Sequence, residues 1–419
     1  MKPGRQKGHQ LSGTTDNPPL NYRGHIAGLD MLRGVAVLVV LLDHGYGNAT
    51  EYTLWHGPER WWIALTGMGH LGVHLFFILS GFLITGILLD GKDRPRRMLT
   101  FYGRRLRRIV PAYLVLLAVL KLAHLVDWKF ILASLLFVVN MGRLVGAKLY
   151  QYSYVWSLAV EEQFYLVWPW VLWRASQKTI LRTIVACLVL VPVIRLGMAA
   201  AGQDSYFKTW VNVDYLMYGA LVAYTLRSGA LHAGNLRRVT RWLYLGGGVG
   251  ILLSIAVWAA ANNTVWALLL FVSVGRTPEL AIFVAMLLSS ILAHQSGPEP
   301  AIAAVRRGAA WERVGRHAVL LPGRALVFLG YISYGLYLVH MVVFRLYDRQ
   351  AAGSRLGNID HSFSALTLRA VVCSALSILL AWLSRSTLEA WFLRRAGLPA
   401  SRSKGIAQSL AAAGPRPRE

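Results

Sequence analysis

Ten times along this sequence an apolar run of about 17–25 residues, long enough to carry an α-helix across a bilayer, gives way to a more polar segment, often rich in Lys and Arg. The runs lie at about 27–46, 68–89, 109–126, 156–173, 180–200, 211–227, 242–262, 279–294, 325–345 and 366–388. The expected fold is therefore an all-α polytopic membrane protein of about ten transmembrane helices. Composition points the same way, because 55 % of the 419 residues are apolar and only 15 % are charged, against about 25 % in soluble domains. A water-soluble globule built from such a chain would expose apolar patches that monomeric soluble proteins rarely carry. A soluble enzyme, a disordered chain, a coiled coil and a disulfide-stapled secreted domain are thereby excluded. The two cysteines, Cys187 and Cys373, both sit inside apolar runs and read as packing residues.

The formal charge of +25 would raise nucleic acid as a partner in a soluble protein. Here the positive residues punctuate apolar runs, which is the bias of loops retained in the cytoplasm, and no nucleic-acid-binding module is visible. Lys2, Arg5, Lys7 and Arg23 ahead of the first run superficially resemble a signal peptide, but the run is long and no small-residue cleavage pattern follows it. An eleventh apolar run, Phe130 to Val139, is too short to span. If it crossed, the basic loops at 174–182, 237–241 and 306–324 would all lie outside; if it only dips in or rests on the outer surface, all lie inside with the basic segment 92–108. The expectation is thus ten helices with both termini cytoplasmic and a non-spanning segment near 130–155 that covers something. The chain divides into a cytoplasmic tail (1–26), a ten-helix domain (27–390) and a second cytoplasmic tail (391–419). The loop at 295–324 and the tail after Arg394 read as polar surface segments without a fold of their own.

Ionisable groups inside membrane helices are costly, so each is a functional candidate. In the first run Arg33 and His44 are eleven residues apart, about three helical turns and ~16 Å, which puts them on nearly one face; the plainer reading has Arg33 reaching the inner headgroups and His44 at the outer interface. His70 and His74 stand one turn apart without an obvious third ligand, so no metal is expected. Ser80–Gly81 suits close helix contact better than nucleophilic chemistry. In FYGRRLRRIVPAY, Arg105 and Arg108 share one face of a helix expected to end against Pro111. Two guanidinium forks so placed suit lipid phosphate or a polyphosphate ligand. Glu161 and Glu162 open the fourth run and need a partner, for which Arg33 and His44 are candidates; a structural ion pair is the alternative. Tyr331, Tyr334, Tyr337 and His340 follow in YISYGLYLVH, and an aromatic belt explains part of that set.

Five segments in order, LDMLRGVAVLVVLLDH, GVHLFFILSGFLIT, FYGRRLRRIVPAY, WSLAVEEQFYLVWP and YISYGLYLVH, resemble the acyltransferase-3 family of integral membrane O-acyltransferases, over almost the whole chain from Leu29 to the last helix. The resemblance implies ten core helices, an acyl-CoA donor that is normally acetyl-CoA, and an acceptor hydroxyl, commonly on a cell-envelope glycan. By the same analogy Arg33 and His44 match the family's helix 1 arginine and histidine, Arg105 and Arg108 its RxxR pair, and Glu161 the acid of its WSLxxE segment; no role passes to His74. The chain ends soon after the tenth run, so the esterase-like extracytoplasmic domain of some relatives is not expected. In the expected mechanism CoA phosphates dock at Arg105 and Arg108, the thioester arm follows the Arg33 face, and His44 acts as general base or as covalent acyl carrier. Glu161 would orient His44 or pair with Arg33. The expected setting is the inner (plasma) membrane, with acyl-CoA, a glycan acceptor and the bilayer as partners and no nucleic acid. Acylation of a small cytoplasmic molecule such as a macrolide, and a polytopic transporter or flippase, are the alternatives.

Overall fold

The computed structural model describes residues 20–47, 55–141, 152–203, 206–260, 276–295, 311–352 and 362–395. Each of the ten apolar runs lies on a helix. In chain order these are α1 (Ala27–Tyr46), the short α2 (Gly57–Thr66), α3 (Gly69–Asp90), α4 (Arg97–Leu122), the short α5 (Trp128–Leu135), α6 (Trp156–Arg174), α7 (Gln177–Ala200), α8 (Val213–Arg227), α9 (Ala233–Ala260), α10 (Arg276–Gln295), α11 (Trp311–Ala352) and α12 (Phe363–Ser384). A π-helical turn (Arg385–Glu389) joins α12 to a final short α13 (Ala390–Arg395), and no strand occurs among the described residues. Six helical stretches are long and apolar enough to cross a membrane: Gly57–Asp90, Gln177–Ala200, Ala233–Val257, Arg276–Gln295, Gly323–Ala351 and Phe363–Phe392. The four other long helices are the exceptions for a reason. Charged side chains interrupt the apolar character of α1, α4 and α6, and α8 has only 15 residues.

Contacts at the helix ends sort the molecule into two poles. At one, Arg227 bonds Asp90 at 2.6 Å, Lys92 donates to the carbonyl of Ala175 at 3.1 Å, the Tyr224 hydroxyl to that of Gln177 at 3.2 Å, and Asn21 to the Gln295 amide oxygen at 2.8 Å. At the other, Tyr46 meets Thr367 at 3.2 Å, Asn140 meets Thr209 at 2.8 Å and Arg369 meets Asp348 at 2.6 Å. Successive long helices therefore run in opposite directions. The segment after α4 stays at the second pole: the Tyr113 hydroxyl donates to Ser134 O at 3.1 Å and Gln163 Nε2 to Phe137 O at 2.6 Å. At eight residues, α5 is about 12 Å long. Beyond it α6 runs back beside α4 until Trp173 lies under the Arg97 guanidinium, 5.5 Å from ring centroid to charge. Residues 142–151 lie outside the described residues.

The long helices close on one another through small residues. A Cβ on Gly34 would overlap the Leu326 carbonyl, and one on Gly219 would overlap that of Ile78, so α1 meets α11 and α3 meets α8 backbone to backbone, as helices without a hydrophobic driving force between them tend to do. Gly81 faces Leu216 in the same seam, the role expected of Ser80–Gly81.

Two boundaries differ from expectation. The arginine-rich segment does not end against Pro111, because α4 passes through that proline as one 26-residue helix. Proline removes a single backbone bond there, and Tyr113, Leu116, Leu117 and Leu120 beyond it are buried, so packing carries the helix on. The stretch 311–324, expected as polar loop, is the start of the 42-residue α11. Residues 1–19, 296–310 and 396–419 lie outside the described residues.

Candidate functional site

Four of the five residues singled out by charge converge on one cavity. Arg33 of α1, Arg105 and Arg108 of α4 and Glu161 of α6 line it, together with Ser80 of α3 and Tyr334 and Tyr337 of α11. It encloses about 120 Å³, narrower than a typical small-molecule site. The three arginines lie toward the first pole and Ser157 and Tyr337 toward the second, so the cavity follows the long axis of the bundle.

Glu161 is held by hydroxyls rather than by a cation. It accepts from Ser80 Oγ at 2.9 Å and from the Tyr165 hydroxyl, one turn on, at 3.1 Å. The expected pairing with Arg33 or His44 is not what the structure contains: Arg33 gives Nη1 to Asp30 Oδ1 at 2.7 Å, and Asp30 also takes His25 Nε2 at 2.6 Å. An aspartate one turn away on the same helix reaches Arg33 first, which leaves its guanidinium fixed at the cavity wall. Arg105 stacks over the Tyr165 ring at 4.8 Å and lies 6.0 Å from that of Phe101. Stacking of this kind orients the planar fork. Glu162 points elsewhere, with Oε1 buried and without a hydrogen-bond partner.

His44 does not line the cavity. It sits in the last turn of α1, where Nδ1 lies 3.0 Å from the carbonyl of Val40, an acceptor only, so Nδ1 carries the ring proton and Nε2 the lone pair. The turn is clamped from outside: Arg369 of α12 donates to the carbonyls of His44 and Gly45, at 3.0 and 2.5 Å, and grips both carboxylate oxygens of Asp348 at 2.6 and 2.9 Å. His44 contacts His340, with ring centroids 5.0 Å apart, and His340 in turn contacts Tyr337, with centroids 5.5 Å apart. Tyr337 belongs to the cavity wall; its hydroxyl donates to Tyr154 O at 2.7 Å and lies 2.6 Å from Ser157 Oγ. Tyr334 donates to Ile109 O at 2.7 Å. These two tyrosines thus bond within the bundle and fall outside the part of the set that an aromatic belt explains, while Tyr331 lies under Arg385 at 4.7 Å.

His74 bonds Glu279 at 2.8 Å and stacks on Tyr215 at 4.0 Å. Among the described residues no group of three or more His, Cys, Asp or Glu is arranged to hold a metal. Sequence reasoning passed over Arg369 and the fully buried Arg195–Asp214 pair, at 2.6 Å, although the rule that exposed Arg33, an ionisable group inside an apolar run, applies to both arginines.

Comparison with known proteins adds a family. The family model described as Acyltransferase domain, that of the acyltransferase-3 proteins, matches residues 26–385. O-acetyltransferase OatA of Staphylococcus aureus strain NCTC 8325 is 30 % identical over 224 residues, 48 % of this chain and 34 % of that protein. The S. aureus strain COL protein named "Putative O-acetyltransferase SACOL0978" is 32 % identical over 246 residues, 52 % of this chain and 37 % of the relative. The chain thus spans about a third of the length of these curated relatives. No solved structure matches it significantly.

Proposed function

The chain belongs to the acyltransferase-3 family and is a multi-pass membrane acyltransferase, and from that premise we propose that it moves an acetyl group from acetyl-CoA to a hydroxyl of a cell-envelope glycan. The observation that carries this reading is the lengthwise cavity with arginines at one end and the His44–His340 pair beyond the other. Arg105 and Arg108 take the CoA phosphates, for which guanidinium forks are suited. The pantetheine arm runs past Arg33 and Glu161, and the thioester reaches the region of Tyr337. The acceptor enters from the second pole. His44 Nε2 removes the proton of the acceptor hydroxyl as its oxygen attacks the thioester carbonyl; the new C–O bond forms, the C–S bond breaks, and the departing sulfur takes the proton back from the imidazolium. Charge counting and the antiparallel order of the helices support ten crossings with both termini in the cytoplasm, in the inner (plasma) membrane of the cell.

The test uses the full chain in lipid nanodiscs with acetyl-CoA labelled in the acetyl group and an envelope glycan as acceptor. The expected result is label on the glycan and stoichiometric free CoA thiol, both lost in His44→Ala while donor binding persists. Undiminished transfer by His44→Ala would remove the mechanism, and no acetyl transfer by the wild type to any hydroxylated acceptor would remove the proposed function.

A further inference from the structure

The mechanism above leaves His340 idle, yet its surroundings are unusual for a packing residue. Its Nδ1 lies 2.7 Å from Tyr337 O and 3.2 Å from Leu336 O. Both are acceptors only, so Nδ1 carries the proton and Nε2 is bare. That bare nitrogen is buried without a hydrogen-bond partner, in a residue only 1 % exposed, whereas buried polar atoms are ordinarily paired. The rings around it are those of His44, Tyr154 and Tyr337, at 5.0, 5.2 and 5.5 Å. Neither tyrosine can supply the missing proton, because Tyr154 gives its own to Leu338 O and Tyr337 gives its own to Tyr154 O.

His44 is built the same way, with Nδ1 turned to a carbonyl of its own helix. α1 and α11 therefore each present an imidazole whose only proton is committed, and the two remaining lone pairs have nothing to share until one more proton arrives. The reaction proposed above delivers one. Asp43 is the neighbouring carboxylate in sequence, but it accepts from the backbone of Gly69, and adjacent residues on a helix do not face each other. Arg345 and Arg369, the other charges acting on the His44 ring, are donors and cannot receive the proton.

We propose that His340 is a positioning residue for acyl transfer, holding the protonated His44 by accepting a hydrogen bond at Nε2; this rests on the function proposed above. The hydroxyl proton moves to His44 Nε2 as the C–O bond forms. The imidazolium then donates to His340 Nε2, and one proton is shared between the two rings while the C–S bond breaks. The sulfur takes that proton, which returns both imidazoles to their neutral starting forms. The ring centroids lie 5.0 Å apart, and the shared hydrogen bond requires the His44 side chain to rotate until its Nε2 faces that of His340.

Two substitutions in the full chain separate this role from packing. His340→Phe keeps a ring of similar size and removes the acceptor; His340→Gln loses the ring and restores a carbonyl oxygen near the Nε2 position. With acetyl-CoA and acceptor, kcat is expected to fall about 30-fold in His340→Phe with KM for acetyl-CoA within about twofold of wild type, and only about fivefold in His340→Gln. Equal losses in the two variants, a Phe variant at least as active as the Gln variant, or a Phe variant that no longer binds acetyl-CoA would each assign His340 to the scaffold and overturn the proposal. Failure of the parent reading is seen separately, as undiminished turnover in His44→Ala, whatever the order of the His340 variants.

Discussion

Arg105 and Arg108 show how far a single side chain can be interpreted. Both line the cavity, and the Arg105 guanidinium lies over the Tyr165 ring at 4.8 Å, a planar fork that a lysine ammonium would not reproduce. Changing either arginine to Ala is expected to raise the apparent KM for acetyl-CoA about tenfold or more, the equivalent of about 1.4 kcal/mol, with acceptor KM unchanged; Lys should rescue only part. Unchanged donor KM in both Ala variants would return the pair to lipid binding. Arg369 carries a different expectation. Removing its side chain leaves Asp348 and the carbonyls of His44 and Gly45 without their donors in a partly buried pair, so Arg369→Ala should lower the thermal midpoint in detergent. A midpoint within a degree or two of wild type would show that the clamp holds nothing. The charged residues of the cavity were legible because charge in an apolar run is conspicuous. Their partners were not: Ser80 and Tyr165 are common in membrane helices, and only the meeting of α3 and α6 shows that they hold Glu161.

Helices were the easiest level to read, since each of the ten apolar runs falls on a helix over most of its described residues. Their ends were harder. A proline and a dense patch of arginine look like a boundary in sequence, yet α4 passes both, and α11 begins before its apolar core. Which face meets which neighbour was hidden too, because close approach depends on glycines that mean nothing until their opposite number is known. Gly219 presses on Ile78 and Phe82, whereas nothing lies within 4 Å of a Cβ added to Gly197. Gly219→Leu is therefore expected to push α3 from α8, displace Ser80 from Glu161 and abolish both activity and a sharp thermal transition. Gly197→Leu should behave as wild type. Equal tolerance of the two substitutions, measured by size-exclusion profile and melting, would contradict the seam.

For the molecule as a whole, the pole-to-pole order predicts which loops share a side. In a background with Cys187→Ser and Cys373→Ala, cysteines placed at Asp127 and Gln203 should be labelled by an impermeant thiol reagent from outside the cell, and cysteines at Arg94 and Ser176 only after permeabilisation. Labelling of Asp127 and Ser176 from the same side would overturn the path proposed for the chain between α4 and α6. The clamp at Arg369 has a further consequence for how the molecule comes into being. Its bond to the carbonyl of His44 joins residues 325 positions apart, so α1 waits for α12, which is synthesised long after it. At translation rates of about 5–20 residues per second, roughly 15–65 s pass between the synthesis of His44 and that of the arginine that fixes it. Until then the last turn of α1 would lack its anchor, which makes the synthesis of α12 the step that fixes the carbonyls of His44 and Gly45.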